Sequence, residues 1–243
     1  MTTARSVTPH VHVPLGCGGT IVEATFLARP NRFLVEAELD GHVVQAHLAD
    51  RGRLKETLVP NARLLLAHRP APGRKTAYQA VAAVRDGMLT SLDTHLPNRL
   101  IEAALRAGAL DPFAGYPLVR REVTVGGSRF DFQLSDGARR CTLEVKSAGY
   151  VENGIATFPD APTTRGRRHL LELAGIAAMS ERAAVLFVAQ GAARAIAMNR
   201  AIDPDFADTL RAVAAAGVEV HGYACPLTCA GISLGVALPV LFD

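Results

Sequence analysis

Five stretches near the start of the chain alternate apolar and polar residues with the period of two that β-strands show. They read TIVEATFLAR, RFLVEAELDG, HVVQAHLAD, ARLLLAHRP and KTAYQAVAAVRDG. Turn signals such as Asp40-Gly41 and Pro70-Ala71-Pro72-Gly73 separate them. Short strands joined by such turns are typical of a small barrel. The pattern predicts a β-barrel domain over residues 19–88, preceded by a flexible tail over residues 1–18, which lack periodicity.

The remainder of the chain mixes helical and strand periods. Helical spacing of apolar residues, together with capping residues, predicts three helices. They cover residues 98–107 with Asn98 as N-cap, 163–178 with Thr163 or Thr164 as N-cap, and 203–216. Apolar runs predict strands over residues 89–93, 183–190, 195–198, 218–224 and 232–242, and Gly and Pro make residues 150–164 a loop. Residues 89–243 are therefore predicted to form an α/β domain.

Three β-favouring runs follow the first of these helices. They are separated by Gly126-Gly127 and Ser135-Asp136-Gly137, so they predict an antiparallel meander over residues 120–125, 128–134 and 140–147. Alternation gives the last two strands one apolar face each, formed by Phe130, Phe132 and Leu134 and by Cys141, Leu143 and Val145. If those apolar faces stack together, Asp131, Glu144 and Lys146 meet on the opposite face.

Two carboxylates on neighbouring strands lie about 5 to 8 Å apart and repel each other. A divalent cation held between Asp131 and Glu144 would remove the repulsion, and Mg²⁺ or Mn²⁺ accepts such oxygen ligands. A cation there polarises a phosphate and activates water, while Lys146 stabilises developing negative charge. The pattern therefore favours metal-assisted phosphodiester hydrolysis. The alternative is a solvated polar face with an ordinary contact between Glu144 and Lys146.

The second predicted helix begins with a cluster of basic residues, Arg165, Arg167, Arg168 and His169. Cations at a helix N-terminus oppose the helix dipole, and a bound phosphate would offset that penalty. We therefore predict that this cluster contacts a nucleic-acid backbone. The alternative is pairing with Asp160, Glu172 or Glu181. His169 as a general base is less favoured than His169 as a contact to substrate or to a metal ligand.

The predicted barrel carries a second group of cations, of which Arg51, Arg53 and Lys55 are candidate nucleic-acid contacts. Barrels of this size bind single-stranded nucleic acid through basic and aromatic groups. The aromatic candidates are Phe26, Phe33 and Tyr78, and alternation assigns some of them to the core. Attraction to the phosphate backbone is therefore better supported here than stacking on bases.

Composition narrows the class of protein. The 243 residues suffice for two domains, and 49% hydrophobic with 20% charged residues is typical of a folded chain. A net charge of +3 permits a nucleic-acid partner. No apolar run is long enough to span a membrane and no leader pattern is visible, so the expectation is a cytoplasmic protein. The four scattered cysteines are expected to be reduced thiols, and a homo-oligomer is left open.

Several motifs resemble the sugar fermentation stimulation protein A family. They are SRFDF, LEVKS, FPDAPTTRGRRHLLEL, DTHLPNRLIEAAL, DPDFADTL and GVEVHGYAC, so the resemblance covers most of the chain after about residue 90. It implies an N-terminal OB-like barrel joined to a PD-(D/E)xK restriction-endonuclease-like α/β domain, with DNA binding and metal-dependent nuclease activity.

The resemblance also assigns roles to residues. Asp131 matches the acidic residue of the PD element, and Glu144 and Lys146 match ExK. A helix before the meander often adds an acidic metal ligand in nucleases of this fold, and Glu102 is the candidate for that role. The alternative is that Glu102 is a solvated carboxylate on the surface of the helix. The family's Asn-Thr-Gly turn reads Asp50-Arg51-Gly52 here.

The resulting hypothesis is a nucleic-acid-binding phosphodiesterase dependent on Mg²⁺ or Mn²⁺, with DNA favoured over RNA and the choice between them left open. The first alternative is a DNA-binding regulatory protein, linked to sugar metabolism, that does not cut. The second is hydrolysis of a small nucleotide or phosphosugar. The intact set of Asp131, Glu144 and Lys146 argues against a pure binding module, because adjacent carboxylates repel phosphate.

Overall fold

The structure is a computed structural model that describes residues 10–55, 57–85 and 87–242. It divides into two compact units. The first comprises Val13–Leu96 with Leu227–Ile232, and the second contains Pro97–Pro226 and the residues from Ser233 onward. Half of the flexible tail predicted over residues 1–18, residues 1–9, lies outside the described residues.

The described part of that tail is ordered into secondary structure, which corrects the prediction. Strand β1 covers His12–Pro14 and a 3-10 turn covers Leu15–Gly18, with Leu15 buried. Gly16 has φ of 56°, and a Cβ there would lie 2.2 Å from the Cβ of Ala67. The segment packs closely because Gly16 has no side chain.

The first unit is an OB-like barrel, as predicted. Its strands are β2 (Thr20–Asn31), β3 (Leu34–Leu39), β4 (His42–Leu48), β5 (Arg63–His68), β6 (Tyr78–Arg85) and β7 (Met88–Ser91). They are ordered β4-β3-β2-β5-β6-β7, and a parallel pairing of β4 with β6 closes five of them. The inward positions form the core, for example Val35, Ala37, Leu64, Leu66 and Ala80. Alternation along each strand accounts for this core.

The second unit has a mixed sheet and three helices. Its helices are α1 (Leu96–Arg106), α2 (Thr164–Ala178) and α3 (Pro204–Ala215). Its main sheet contains β8 (Leu118–Val125), β9 (Ser128–Ser135), β10 (Arg140–Ala148), β13 (Arg182–Ala189) and β15 (Glu219–Ala224), in the order β15-β13-β10-β9-β8. Strands β8 to β10 form the predicted antiparallel meander, and β10 pairs in parallel with β13. Strand β10 is therefore central.

A second sheet corrects the loop predicted over residues 150–164. It consists of β11 (Tyr150–Glu152), β12 (Ile155–Phe158), β14 (Ala195–Met198) and β18 (Val240–Leu241). The turn between β11 and β12 is Asn153-Gly154, with φ of 50° and 77°. Two successive positive φ angles are typical of a tight hairpin turn. The predicted strand over residues 232–242 is also broken, into β17 (Gly231–Ser233) and β18, and β17 pairs with β16 (Leu227–Thr228).

The core of the second unit lies between the main sheet and two helices. Leu170 and Leu173 of α2 and Phe206 and Leu210 of α3 pack with Val185 and Phe187 of β13. Such apolar burial contributes about 25 cal/mol per Å² to folding. The helical period of the apolar residues on α2 therefore identifies the face that packs on the sheet.

The starts of α2 and α3 are tied together. The Thr163 hydroxyl accepts a hydrogen bond from the Gly166 N–H and caps α2, so Thr163 is the N-cap of the two residues predicted. Asp203 caps α3 by accepting from the Phe206 N–H at 2.9 Å, and its other oxygen accepts from the Thr163 N–H at 2.7 Å. One carboxylate therefore fixes both helix N-termini.

The N-cap predicted at Asn98 is wrong. Helix α1 begins at Leu96. Asp93 lies before the helix, and its side chain accepts a hydrogen bond from the His95 N–H at 3.0 Å. Asn98 lies inside the first turn, which leaves its side chain free for a contact outside the helix.

Candidate active site

The site begins where the ladder between β9 and β10 stops. The last paired residues are Leu143 and Phe132, and one further step of the register would set Glu144 opposite Asp131. There the Val145 N–H donates to Asp131 Oδ2 at 2.8 Å. A side-chain carboxylate thus takes a backbone donor of the neighbouring strand, and Asp131 is held against the strand that carries Glu144.

Asp131 is also held from the helix side. Asn98 of α1 donates through Nδ2 to Asp131 Oδ1 at 2.7 Å. Burial raises the pKa of Asp131 to about 6, with the charge of Glu144 adding to the effect and the two hydrogen bonds and Lys146 opposing it. At neutral pH Asp131 is therefore ionised, at a cost in free energy that burial imposes on its charge.

Glu144 is the more deeply buried member of the pair, with 5% of its surface exposed. Its Oε1 accepts from Lys146 Nζ at 2.6 Å and contacts His169 Nδ1 at 2.6 Å. Burial tends to raise the pKa of Glu144, but the His169 hydrogen bond and the Lys146 charge outweigh it and lower the pKa. Glu144 is therefore ionised at neutral pH, and its lowered pKa contrasts with the raised pKa of Asp131.

The second oxygen of Glu144 has a different status. Oε2 is buried and accepts no hydrogen bond within the described part of the chain. A buried carboxylate oxygen without a partner is costly unless something else binds it. With the nearby Asp131, it offers a pair of anionic oxygens of the kind that hard divalent cations bind.

His169 lies inside the protein rather than on its surface. Only 2% of its surface is exposed, and its ring lies 5.4 Å from the ring of Phe130. Arg165 Nε donates to His169 Nε2 at 3.4 Å. Because Nε2 accepts, the proton of a neutral ring lies on Nδ1, which donates to Glu144. The structure therefore makes His169 a positioning partner of Glu144, and its predicted contact with nucleic acid would require it to leave this position.

Two of the other basic residues at the start of α2, Arg167 and Arg168, lie close to acidic side chains. Arg167 forms ion pairs with Asp205 and, at 3.5 Å, with Asp203, and Arg168 lies 3.9 Å from Glu172. Of the alternative partners expected from sequence, Glu172 is thus the one in place here. Glu181 instead pairs with Arg140. The predicted phosphate contact of this cluster remains a prediction.

Glu102 lies on α1 as predicted, but its carboxylate is occupied. It pairs with Arg106 at 3.0 Å and with Arg121 at 2.8 Å. Among residues 10–55, 57–85 and 87–242, no group of three or more His, Cys, Asp or Glu side chains is arranged to hold a metal ion. The structure therefore does not bring Glu102 together with Asp131 and Glu144 as a third ligand.

The sequence indicates a different role for Asn98 but one of the observed roles for His169. Asn98 has the pattern of a helix cap, whereas its side chain binds Asp131. His169 contacts Glu144, which is the contact with a candidate metal ligand favoured over a general base. Its spacing of four from Leu173 is the signal that sets it on the buried face of α2.

The barrel residues Arg51, Arg53 and Lys55 are all exposed, as a nucleic-acid contact requires. Phe26 is in the core, whereas Phe33 has 39% of its surface exposed. Tyr78 packs partly against the core. Phe33 is therefore the aromatic residue of the three that the barrel presents to solvent.

Comparison with known proteins decides the family. Residues 27–92 match the SfsA N-terminal OB domain, and residues 95–231 match the sugar fermentation stimulation protein RE domain. The chain belongs to the sugar fermentation stimulation protein family. The resemblance found in the sequence is thereby confirmed.

Relatives in this SfsA family are similar along nearly their whole length. The sugar fermentation stimulation protein homolog of Chloroflexus aurantiacus is 54% identical over 231 residues, which cover 95% of this chain and 89% of that protein. The homolog of Moorella thermoacetica is 49% identical over 217 residues, covering 88% and 94%. The structure of Pyrococcus furiosus SfsA in complex with Ca²⁺ aligns with a TM-score of 0.83 at 26% identity, covering 95% of this chain and 98% of that one.

The helices of this SfsA family member are short relative to a bilayer. Within the part of the chain that the structure describes, none is long and apolar enough to cross a membrane.

Proposed function

We propose that this protein binds nucleic acid and hydrolyses its phosphodiester bonds with the help of a divalent cation. The observation that carries the proposal is the buried Glu144 Oε2, without a partner among the described residues, close to the ionisable Asp131. Each of two neighbouring carboxylates disfavours the ionised form of the other unless a cation lies between them.

The residues present fit such a cation. Asp131 and Glu144 would hold it, and the Ca²⁺ complex of the Pyrococcus furiosus relative supports divalent binding at 26% identity. Mg²⁺ and Mn²⁺ are the proposed physiological ions, since both accept carboxylate oxygens and act on phosphates. When bound, the cation supplies Lewis-acid polarisation of a phosphate and a lowered pKa for water.

The protein's own groups do the remaining work. Lys146 Nζ, 2.6 Å from Glu144 Oε1, carries a positive charge beside the carboxylates and would stabilise charge that develops on the phosphate. His169 holds Glu144 in its ionised form by donating to Oε1. Asn98 and the Val145 N–H hold Asp131 in the same way.

The membership of the barrel in an OB-domain family supports nucleic acid as the substrate. The exposed Arg51, Arg53 and Lys55 would attract its phosphates, and Arg165, Arg167 and Arg168 would contact the backbone near the site. DNA rather than RNA is the proposed substrate, a cytoplasmic location remains a prediction, and a homo-oligomer stays open.

The test compares the parent with Glu144→Gln on labelled single- and double-stranded DNA and RNA, with EDTA, Mg²⁺ or Mn²⁺. Glu144→Gln keeps the shape but removes the anionic oxygen, so cleavage should fall by at least about a hundredfold. Glu38→Gln, an exposed carboxylate of the barrel, is the matched control and should cleave as the parent does. In calorimetric titration, Glu144→Gln should bind Mn²⁺ more weakly than the parent, whereas Glu38→Gln should bind it as the parent does.

Equal cleavage by the parent and by Glu144→Gln would refute the site. If neither protein cleaves while both shift DNA in a gel, the non-catalytic DNA-binding regulator becomes the better interpretation. Salt-dependent binding would accompany that outcome. Metal-dependent release of phosphate from small nucleotides or phosphosugars, without cleavage of polynucleotides, would instead select the small-substrate alternative.

A further inference from the structure

An exposed aromatic ring on the barrel lies beside two arginines. Phe33, in the turn before β3, has 39% of its surface exposed. The Cζ atoms of Arg32 and Arg51 each lie 5.0 Å from the centre of its ring. A phenyl ring with so much exposure is not a core residue, and both arginines next to it are exposed as well.

The backbone of Phe33 is fixed on both sides. Its N–H donates to Asn31 Oδ1 at 2.9 Å, and its carbonyl accepts from the Leu48 N–H at 2.8 Å. The ring therefore projects from a rigid part of the barrel, in the connection between β2 and β3. Little order has to be gained when a ligand binds such a preorganised group.

The loop that carries Arg51 is fixed by another arginine. Arg29 donates to the carbonyls of Gly52 and Arg53 at 2.7 and 3.0 Å, and to those of Asp50 and Arg32 at 3.3 Å. The carboxylate of Asp50 in turn accepts from the Gly52 N–H at 2.7 Å. Arg29 is thus used for structure, whereas Arg32 and Arg51 extend over the ring from a held backbone.

We propose that Phe33, Arg32 and Arg51 form a stacking site for an unpaired base of single-stranded nucleic acid. An aromatic face flanked by guanidinium groups is what such strands require, because the ring stacks on a base and the cations contact the adjoining phosphates. The connection between the first two barrel strands is also an edge with which OB folds bind oligonucleotides. A duplex keeps its bases stacked inside and cannot use the ring.

The site accommodates the base by a small exchange. A cation over an exposed ring is held more weakly than a base stacked on the same ring. The base therefore displaces a guanidinium from the ring, and the displaced arginine reaches the neighbouring phosphate. This inference rests on the nucleic-acid binding of the proposed function and adds the strandedness of the ligand and the residue that selects it.

The chain contains no tryptophan, so Phe33→Trp introduces a single fluorescent reporter at the site. In EDTA, titration with a short oligothymidylate should quench its emission, and a duplex of the same length should quench it much less. Val43→Trp, on β4 with 66% of Val43 exposed, is the matched control and should stay unquenched at the concentrations that saturate Phe33→Trp.

A second pair of variants separates stacking from charge. Phe33→Leu should weaken binding of the oligothymidylate by between about 5-fold and 150-fold with an unchanged salt slope, since stacking carries no charge. Arg51→Ala should lower the slope of log K against log salt by about 0.7. Circular dichroism checks that both variants fold.

The outcomes bear separately on the two proposals. Quenching without any cleavage by the parent retains the stacking site and removes the nuclease. Metal-dependent cleavage with an unquenched Phe33→Trp, or with equal affinity of Phe33→Leu and the parent, overturns the stacking site alone. Failure of the parent to bind single strands overturns it as well.

Discussion

Replacing Asp131 by asparagine removes a carboxylate that folding makes less acidic. The pKa of Asp131 rises from 3.8 to about 6 in the folded protein, chiefly through burial and then through the charge of Glu144. Because the folded state holds this proton more tightly than the unfolded state, stability falls as pH rises between these two values. At about 1.4 kcal/mol per pKa unit, the ionised carboxylate destabilises the metal-free protein by about 3 kcal/mol.

The Asp131→Asn variant would keep the contacts without the charge. The oxygen of the new amide can accept from the Val145 N–H, and the Asn98 amide can turn to accept from the new NH₂ group. In EDTA, Asp131→Asn should therefore gain stability over the parent as pH rises, by about 2 kcal/mol between pH values of about 4.5 and 8. Below the unfolded pKa the two proteins should differ little from this cause.

The assay is urea unfolding of the parent and the variant at both pH values, followed by far-UV circular dichroism with the transitions of the two units fitted separately. Asp136→Asn is the control, because hydrogen bonds from Arg139 lower the pKa of that half-buried carboxylate. Its loss should disfavour folding at the higher pH, the opposite direction. A stability difference between Asp131→Asn and the parent that stays constant with pH would refute the raised pKa.

Two further predictions concern the start of α2. His169→Ala should leave Glu144 Oε1 with Lys146 as its remaining hydrogen-bond donor among those described. The variant should therefore bind Mn²⁺ and cleave about 10- to 100-fold less well, and the metal should begin to bind at a higher pH than in the parent. Mn²⁺ titrations across pH check this, and binding profiles equal to those of the parent would contradict it. Thr163→Ala removes the N-cap of α2 and should lower the free energy of unfolding by about 1 kcal/mol, whereas Thr163→Ser should keep the stability of the parent. Equal urea midpoints for the parent and both variants would show that the Thr163 hydroxyl does not stabilise the helix.

Much of the fold follows from local patterns. The barrel strands and the meander are predictable because period-two alternation and turn residues are encoded within about ten residues of chain. Helix α2 is predictable with its cap at Thr163, since capping depends on the two residues that share the hydrogen bond. The hairpin over residues 150–158 is not predicted although Asn153-Gly154 carries the signal, because the prolines that follow indicate a loop.

The candidate site was only partly predictable. The register of β9 and β10 brings Asp131 to Glu144, and this follows from strand geometry. Strand β10, however, is central and buried on both faces from Cys141 to Val145, so its polar residues do not face water as alternation alone would indicate. The contact of His169 with Glu144 joins residues 25 apart and depends on how α2 packs, which no local pattern contains.

The shared carboxylate of Asp203 joins the starts of two helices that are far apart in sequence. It receives the Thr163 N–H at the start of α2 and the Phe206 N–H in the first turn of α3. His169 lies less than two turns further along α2 and holds Glu144. The position of the proposed metal-binding oxygen is thus set from outside the site, and we expect sequence change at the beginning of α3 to alter the proposed activity without touching Asp131, Glu144 or Lys146.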